Sequence, residues 1–88
     1  MSIPFQAEDL ILFTGDSITD CDRHRDDRAS LGMGYVRLIA EHLESKASEL
    51  KLMVRNTGIS GDRSEDLLAR WDQDCIGLQP DWVSVWWV

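Results

Sequence analysis

Basic residues are scarce in this chain: nine Lys and Arg stand against 16 Asp and Glu, a formal balance of −7. A negative field of that size repels polyanions, which argues against a nucleic-acid backbone or an anionic membrane surface as the main partner. Neutral and cationic small molecules remain open. No apolar run approaches the roughly 20 residues needed to span a bilayer. The opening Met1-Ser2-Ile3-Pro4-Phe5-Gln6-Ala7-Glu8-Asp9 lacks the basic start and apolar stretch of a secretion signal, so a cytoplasmic location is expected. Cysteine is equally sparse. Cys21 and Cys75 are too far apart for a metal-binding pair, and one bridge would be thin support for an oxidising compartment, so both read as free thiols.

What is present suits one small domain: 88 residues, 43% hydrophobic and 28% charged. Leu10-Ile11-Leu12-Phe13 is a continuous apolar run entering Thr14-Gly15-Asp16-Ser17, and a run without alternation suits a parallel strand buried on both faces. That first strand is expected to be central. From Asp20 to Arg28 nearly every residue is charged or titratable, which predicts a solvated loop. After Gly32-Met33-Gly34, apolar side chains at Val36, Ile39, Leu43, Ala47 and Leu50 recur at helical spacing and predict a helix to about Glu49.

Leu52-Met53-Val54 reads as a second strand, ending in the turn Arg55-Asn56-Thr57-Gly58-Ile59-Ser60-Gly61. Asp62, three residues before Glu65, resembles a capping arrangement, and Leu67, Leu68 and Trp71 supply the stripe of a second helix to about Asp74, stopped by Gly77 and Pro80. The segment from Asp81 to Val88 has the aromatic and β-branched content of a third strand.

The order strand, helix, strand, helix, strand implies right-handed crossovers and a parallel sheet with helices on its faces. The fold class expected is α/β, a partial three-layer α/β/α flavodoxin-like sheet of three strands and two helices, an incomplete domain. With strand order 2-1-3, Val83, Val85, Trp86, Trp87 and Val88 lie on an open edge, a setting that invites pairing with another chain. Packing within a buried strand is the expected role of Trp82. Trp86 and Trp87 must point to opposite faces, so at least one of them needs a covering layer.

Ser17 follows the first strand directly, inside Gly15-Asp16-Ser17-Ile18-Thr19-Asp20, where a hydroxyl would sit at the carboxyl end of a central strand. Gly15 lets the chain turn sharply there, and the Ser17 N–H is able to point into the cleft as an oxyanion donor. Taken alone, a serine capping a turn is the better account. Asn56-Thr57-Gly58-Ile59-Ser60-Gly61 ends the neighbouring strand, so the Gly61 backbone is able to approach the same cleft. Acyl transfer needs such preorganised N–H groups where charge develops on a carbonyl oxygen. Alone, this second element also reads as an ordinary strand-to-helix turn.

Together the two elements resemble the SGNH hydrolases, also called the GDSL esterase/lipase family. The matching positions are Gly15, Asp16, Ser17 and Asp20 in the first motif and Asn56, Gly58 and Gly61 in the second, with Leu78-Gln79-Pro80-Asp81 resembling the family's approach to its third motif. The resemblance implies that residues 1–88 are the N-terminal portion of a single domain, and that Ser17 is the nucleophile of a serine esterase forming an acyl-enzyme. It also implies that the Ser17 and Gly61 N–H groups are two of three oxyanion donors. Family members take the third donor from an Asn in Gly-x-Asn-Asp and the base from Asp-x-x-His, and neither motif occurs in these 88 residues. The chain as given is therefore expected to be inactive as an enzyme. An ester substrate is expected for the intact parent, with no cofactor and no metal.

Other readings of the charged residues are weaker. His24 reads as a solvated loop residue and His42 as a helix-surface residue, neither in a base motif. Asp16, Asp20 and Asp22 lack the spacing of a calcium loop, and capping or pairing with Arg23 and Arg25 is the simpler account. Gly32-Met33-Gly34 is too short for a dinucleotide fingerprint, and no phosphate loop is present. The alternative to a hydrolase fragment is a non-catalytic α/β module that pairs with another chain, or with its own copy, through the third strand.

Overall fold

The computed structural model describes residues 4–86. Strand β1 (Leu10–Gly15) lies between β2 (Met53–Asn56) and β3 (Trp82–Trp86) in a parallel sheet of order β2-β1-β3. The apolar run of β1 takes the central place because only there are both of its faces covered. Ile11, Leu12, Phe13, Thr14 and Gly15 are all buried. This is a partial flavodoxin-like α/β sheet with the expected strand order.

Helix α1 (Ser17–Asp20) is one turn long, and helix α2 (Tyr35–Ala47) runs into a 3₁₀ turn over Ser48–Leu50. One face of α2 closes the core: Val36 joins Ile11 and Phe13, with Leu31, Tyr35, Leu43, Leu52 and Val54 packed around them. Each such side chain contributes roughly 1.5–3 kcal/mol when fully removed from water. Ile39, expected on that face, is partly exposed at 37%. Leu12 and Thr14 alternate to the other side of the sheet.

The second helical segment departs from expectation. It is two short helices, α3 (Ser64–Ala69) and α4 (Trp71–Asp74), broken at Arg70, and Leu67 and Cys75 are its buried apolar residues. Leu68, expected in the apolar stripe, is 75% exposed. The cap is also shifted by one residue: Asp66 Oδ2 accepts from the Arg63 N–H at 2.9 Å, in place of the Asp62 and Glu65 pairing. Cys21 and Cys75 are both free thiols, and burial raises the pKa of Cys75.

The third strand is exposed on both faces. Trp82, Val83, Val85 and Trp86 keep 41–53% of their surface in water, so Trp82 is not the buried strand residue expected. It stacks edge-on against Phe5 at 5.2 Å, and its indole N–H donates to Asp9 at 2.8 Å. Trp87 and Val88, placed on the same edge by the sequence pattern, lie outside the described residues. Among the described residues no helix is long and apolar enough to cross a membrane.

Candidate active site

The first turn is built on Gly15 and Asp16. A Cβ on Gly15 would overlap the Trp86 carbonyl oxygen, so only glycine lets the end of β1 lie this close to β3. Asp16 then caps α1: its side chain accepts from the Ile18 N–H at 3.1 Å and its carbonyl from the Asp20 N–H at 2.9 Å. Ser17 is thereby placed at the first position of the turn, exposed. Among the described residues its hydroxyl has no hydrogen-bond partner.

The second turn is bonded to the first at several points. The Thr57 N–H donates to Phe13 O at 2.9 Å, and the Ile59 N–H to Gly15 O at 3.0 Å. The Ser60 N–H donates to Asp20 Oδ2 at 2.8 Å. Buried Asn56 is a strut: its Nδ2 donates to Thr19 O at 2.7 Å and Leu31 O at 2.9 Å, while Oδ1 accepts from the Gly58 N–H at 2.9 Å. Gly58 sits where a Cβ would be 2.7 Å from the Asp20 nitrogen, so a side chain there would separate the two turns. Gly61 is exposed with φ +88°, and among the described residues its N–H donates no hydrogen bond. Two turns, one carrying Ser17 and the other Gly61, are thus held together at the carboxyl end of neighbouring strands.

Asp20 departs from the solvated loop expected of residues 20–28. It is buried, and besides Ser60 it accepts from Arg25 Nη2 at 2.7 Å and from the Arg23 N–H at 3.1 Å. Burial alone would raise its pKa, but the Arg25 guanidinium and the Ser60 and Arg23 N–H groups outweigh that and hold it below the ordinary 3.8. A depressed folded-state pKa gives stability that is present above the unfolded value and lost as pH falls through the folded one. Asp20→Asn is therefore expected to cost about 2 kcal/mol at neutral pH, with Arg25 half exposed and its share screened. Urea titrations of both proteins should show the gap narrowing below pH 3.8. A gap constant down to acid pH would mean that the charge of Asp20 is immaterial.

Sequence reasoning missed Arg70 and Arg23. Arg70 is 87% buried by side chain, at 13% exposure, and reaches four groups. Its Nε meets Asp62 at 2.7 Å, Nη1 meets Asp74 at 3.0 Å and the Thr57 carbonyl, and Nη2 donates to Gly15 O at 3.2 Å. Arg23 Nε donates to Gly58 O at 2.7 Å. In the sequence Arg70 stands beside Leu67 and Trp71 of the expected apolar stripe, which marks its place but not its partners. His24 and His42 are both exposed, and among the described residues no hydrogen bond joins either to Ser17. No group of metal-ligating side chains forms among the described residues.

The structure is thus a parallel α/β sheet with an exposed serine just past the end of its central strand, and comparison with known proteins shows what it is similar to. No protein-family model matches the chain. An acetylxylan esterase of Geobacillus stearothermophilus is 47% identical over 79 residues, covering 85% of this chain and 36% of that protein. The crystal structure of that organism's acetylxylan esterase superposes with a TM-score of 0.89 at 42% identity, covering 94% of this chain and 40% of the other. A protein described as a GDSL-like lipase, from Parabacteroides merdae, gives 0.90 at 38% identity over 98% of this chain and 42% of its own. Over most of its own length the chain is similar to these esterases and to the GDSL-like lipase, and it spans about two fifths of the solved relatives or less.

Proposed function

We propose that the chain supplies the nucleophile and two oxyanion donors of a serine ester hydrolase acting on acetyl esters of a carbohydrate. The observation that carries this reading is the exposed, unpartnered Ser17 hydroxyl in a turn bonded to the turn of Gly61. In the reaction, Ser17 Oγ attacks the ester carbonyl, its proton passes to a base, and the N–H groups of Ser17 and Gly61 stabilise the oxyanion. The sugar hydroxyl leaves with a proton from the protonated base, and water then releases acetate from the acyl-serine. The relative named an acetylxylan esterase supports the acetyl-carbohydrate class. Its solved catalytic mutants replace a serine, an aspartate and a histidine, the last two spaced as in Asp-x-x-His.

Neither that base motif nor Gly-x-Asn-Asp occurs in the 88 residues. Without a base Ser17 stays a protonated, weak nucleophile, and one missing oxyanion donor adds about 3 kcal/mol to the barrier. The chain by itself is thus expected to release acetate from an acetylated xylo-oligosaccharide no faster than its Ser17→Ala variant. A fusion continuing into the remaining segment of the Geobacillus esterase is expected to show turnover that Ser17→Ala abolishes. Ser17-dependent turnover by the 88 residues alone would refute the incompetence, and a folded fusion indifferent to Ser17→Ala would refute the nucleophile.

A second reading is favoured by the exposure of β3: a non-catalytic module that pairs with another chain along that strand. In the same preparations a strictly monomeric chain by light scattering counts against it.

A further inference from the structure

Although the chain is acidic overall, four of its nine basic residues line one cleft. Arg23, Arg25, Arg28 and Arg55 surround a cavity of about 570 Å³ beside the outer strand β2, with Ile59 and Leu78 among its apolar walls. We propose that this cleft binds a small anion bearing a carboxylate or phosphoryl group, at a site separate from Ser17 and Gly61, neither of which lines it.

Three of the guanidinium groups are already fixed. Arg23 Nε is held by Gly58 O at 2.7 Å, Arg25 Nη2 by Asp20 at 2.7 Å, and Arg55 Nη1 by the Arg28 carbonyl at 3.0 Å. Each of these bonds occupies one nitrogen of a group that carries five N–H donors, so the remaining donors stay available without further ordering. The Arg28 side chain has no partner among the described residues. Of the described residues lining the cleft, Asp74 is the one carboxylate, and it is paired with Arg70. Asp22 and Asp27, from the same loop as Arg23, Arg25 and Arg28, line a different hollow with His24.

The cleft is thus short of negative charge. Burial lowers the pKa of Arg23 and the fields of Arg25 and Arg70 add to this, while Asp20 and Asp74 oppose it. A bound oxyanion would relieve that crowding, and planar guanidinium forks match carboxylate and phosphate oxygens two at a time. The overall charge of −7 does not prevent this. Exposed charges are screened over about 10 Å at 0.1 M salt, whereas the arginines act at contact distance. The volume falls within the roughly 300–1,000 Å³ usual for small-molecule sites.

The test follows the arginine Nε–H signals of the 88-residue chain by ¹H–¹⁵N NMR at constant ionic strength, titrating with inorganic phosphate and, separately, with acetate. Saturable shifts at Arg23, Arg28 and Arg55 are expected. Saturation by one probe and not the other would support the site and assign its group. The variant R28Q/R55Q should bind at least roughly tenfold more weakly, the equivalent of one charge-assisted hydrogen bond. R37Q, on α2 outside the cleft, should bind as the parent does. R28Q alone removes a side chain that holds nothing else in place, so weakened binding there reads the site and not the fold. Shifts that stay linear with both probes, or R28Q and R28Q/R55Q binding as tightly as the parent, would overturn the proposal.

Discussion

Replacing Arg70 by Met is expected to destabilise the chain by about 3–5 kcal/mol, the usual cost of removing one partner from a buried ion pair. The side chain is nearly enclosed, and Asp62 and Asp74, which it neutralises, are themselves mostly covered. Without the guanidinium two carboxylates stay desolvated and unpaired, and the carbonyls of Gly15 and Thr57 each lose a donor. A domain of this length has on the order of 4–13 kcal/mol of stability in total, so the loss is a large fraction of it. Urea titration should show a lower midpoint with an unchanged slope. Arg70→Lys should recover only part, since one ammonium cannot span four acceptors on three segments. The Ile59 amide, bonded to Gly15 O beside the Arg70 contact, should exchange faster with solvent in the Met variant. A loss under about 1 kcal/mol would mean that the two turns are held by their backbone bonds alone.

How much of this was legible in the sequence follows from which contacts are local. The central place of β1 was readable because a run of four apolar residues needs cover on both faces. Strand order and the pairing of the two turns followed from topology. The role of Arg70 was not readable, because it depends on a bond to a carbonyl 55 residues away. Its charge also disguises it, since an arginine in a helix is ordinarily a solvated residue. Asp20 was legible in part: the first motif and the expected pairing with Arg25 single it out, but its inward turn to meet the Ser60 amide, 40 residues on, was not readable. The exposure of Trp82 has a different cause. Its composition signals a buried strand, yet β3 is an edge, and burial there depends on a neighbouring layer and not on the strand's own residues. The arginine cleft shows the limit of net charge as a guide, because a sum over the chain conceals where one sign gathers.

Two glycines of the candidate site separate these kinds of constraint, and substituting each by alanine should destabilise the chain to very different extents. At Gly15, which pairs with Trp86 in the β1–β3 register, the new methyl would occupy the place of the Trp86 carbonyl oxygen. Backbone cannot rotate away as a side chain end can, so either β3 retreats or the turn bearing Ser17 shifts. Overpacking and an unfavourable φ of +153° together are expected to cost at least about 3 kcal/mol. The Asp16 amide, which donates to Trp86 O at 3.3 Å, should lose its protection from exchange. At Gly61 the methyl meets nothing within 4 Å, so only the positive φ of +88° resists it. That variant should lose about 1 kcal/mol and leave the Asp16 amide as protected as in the parent. Thermal unfolding with amide exchange distinguishes the two. Equal costs would mean that backbone conformation alone governs both positions, and that the close approach of β3 to the end of β1 yields when pressed. A large gap would mean that the position of Ser17 is set by a strand contact made before the chain turns, which ties the geometry of the site to the pairing of the most exposed strand.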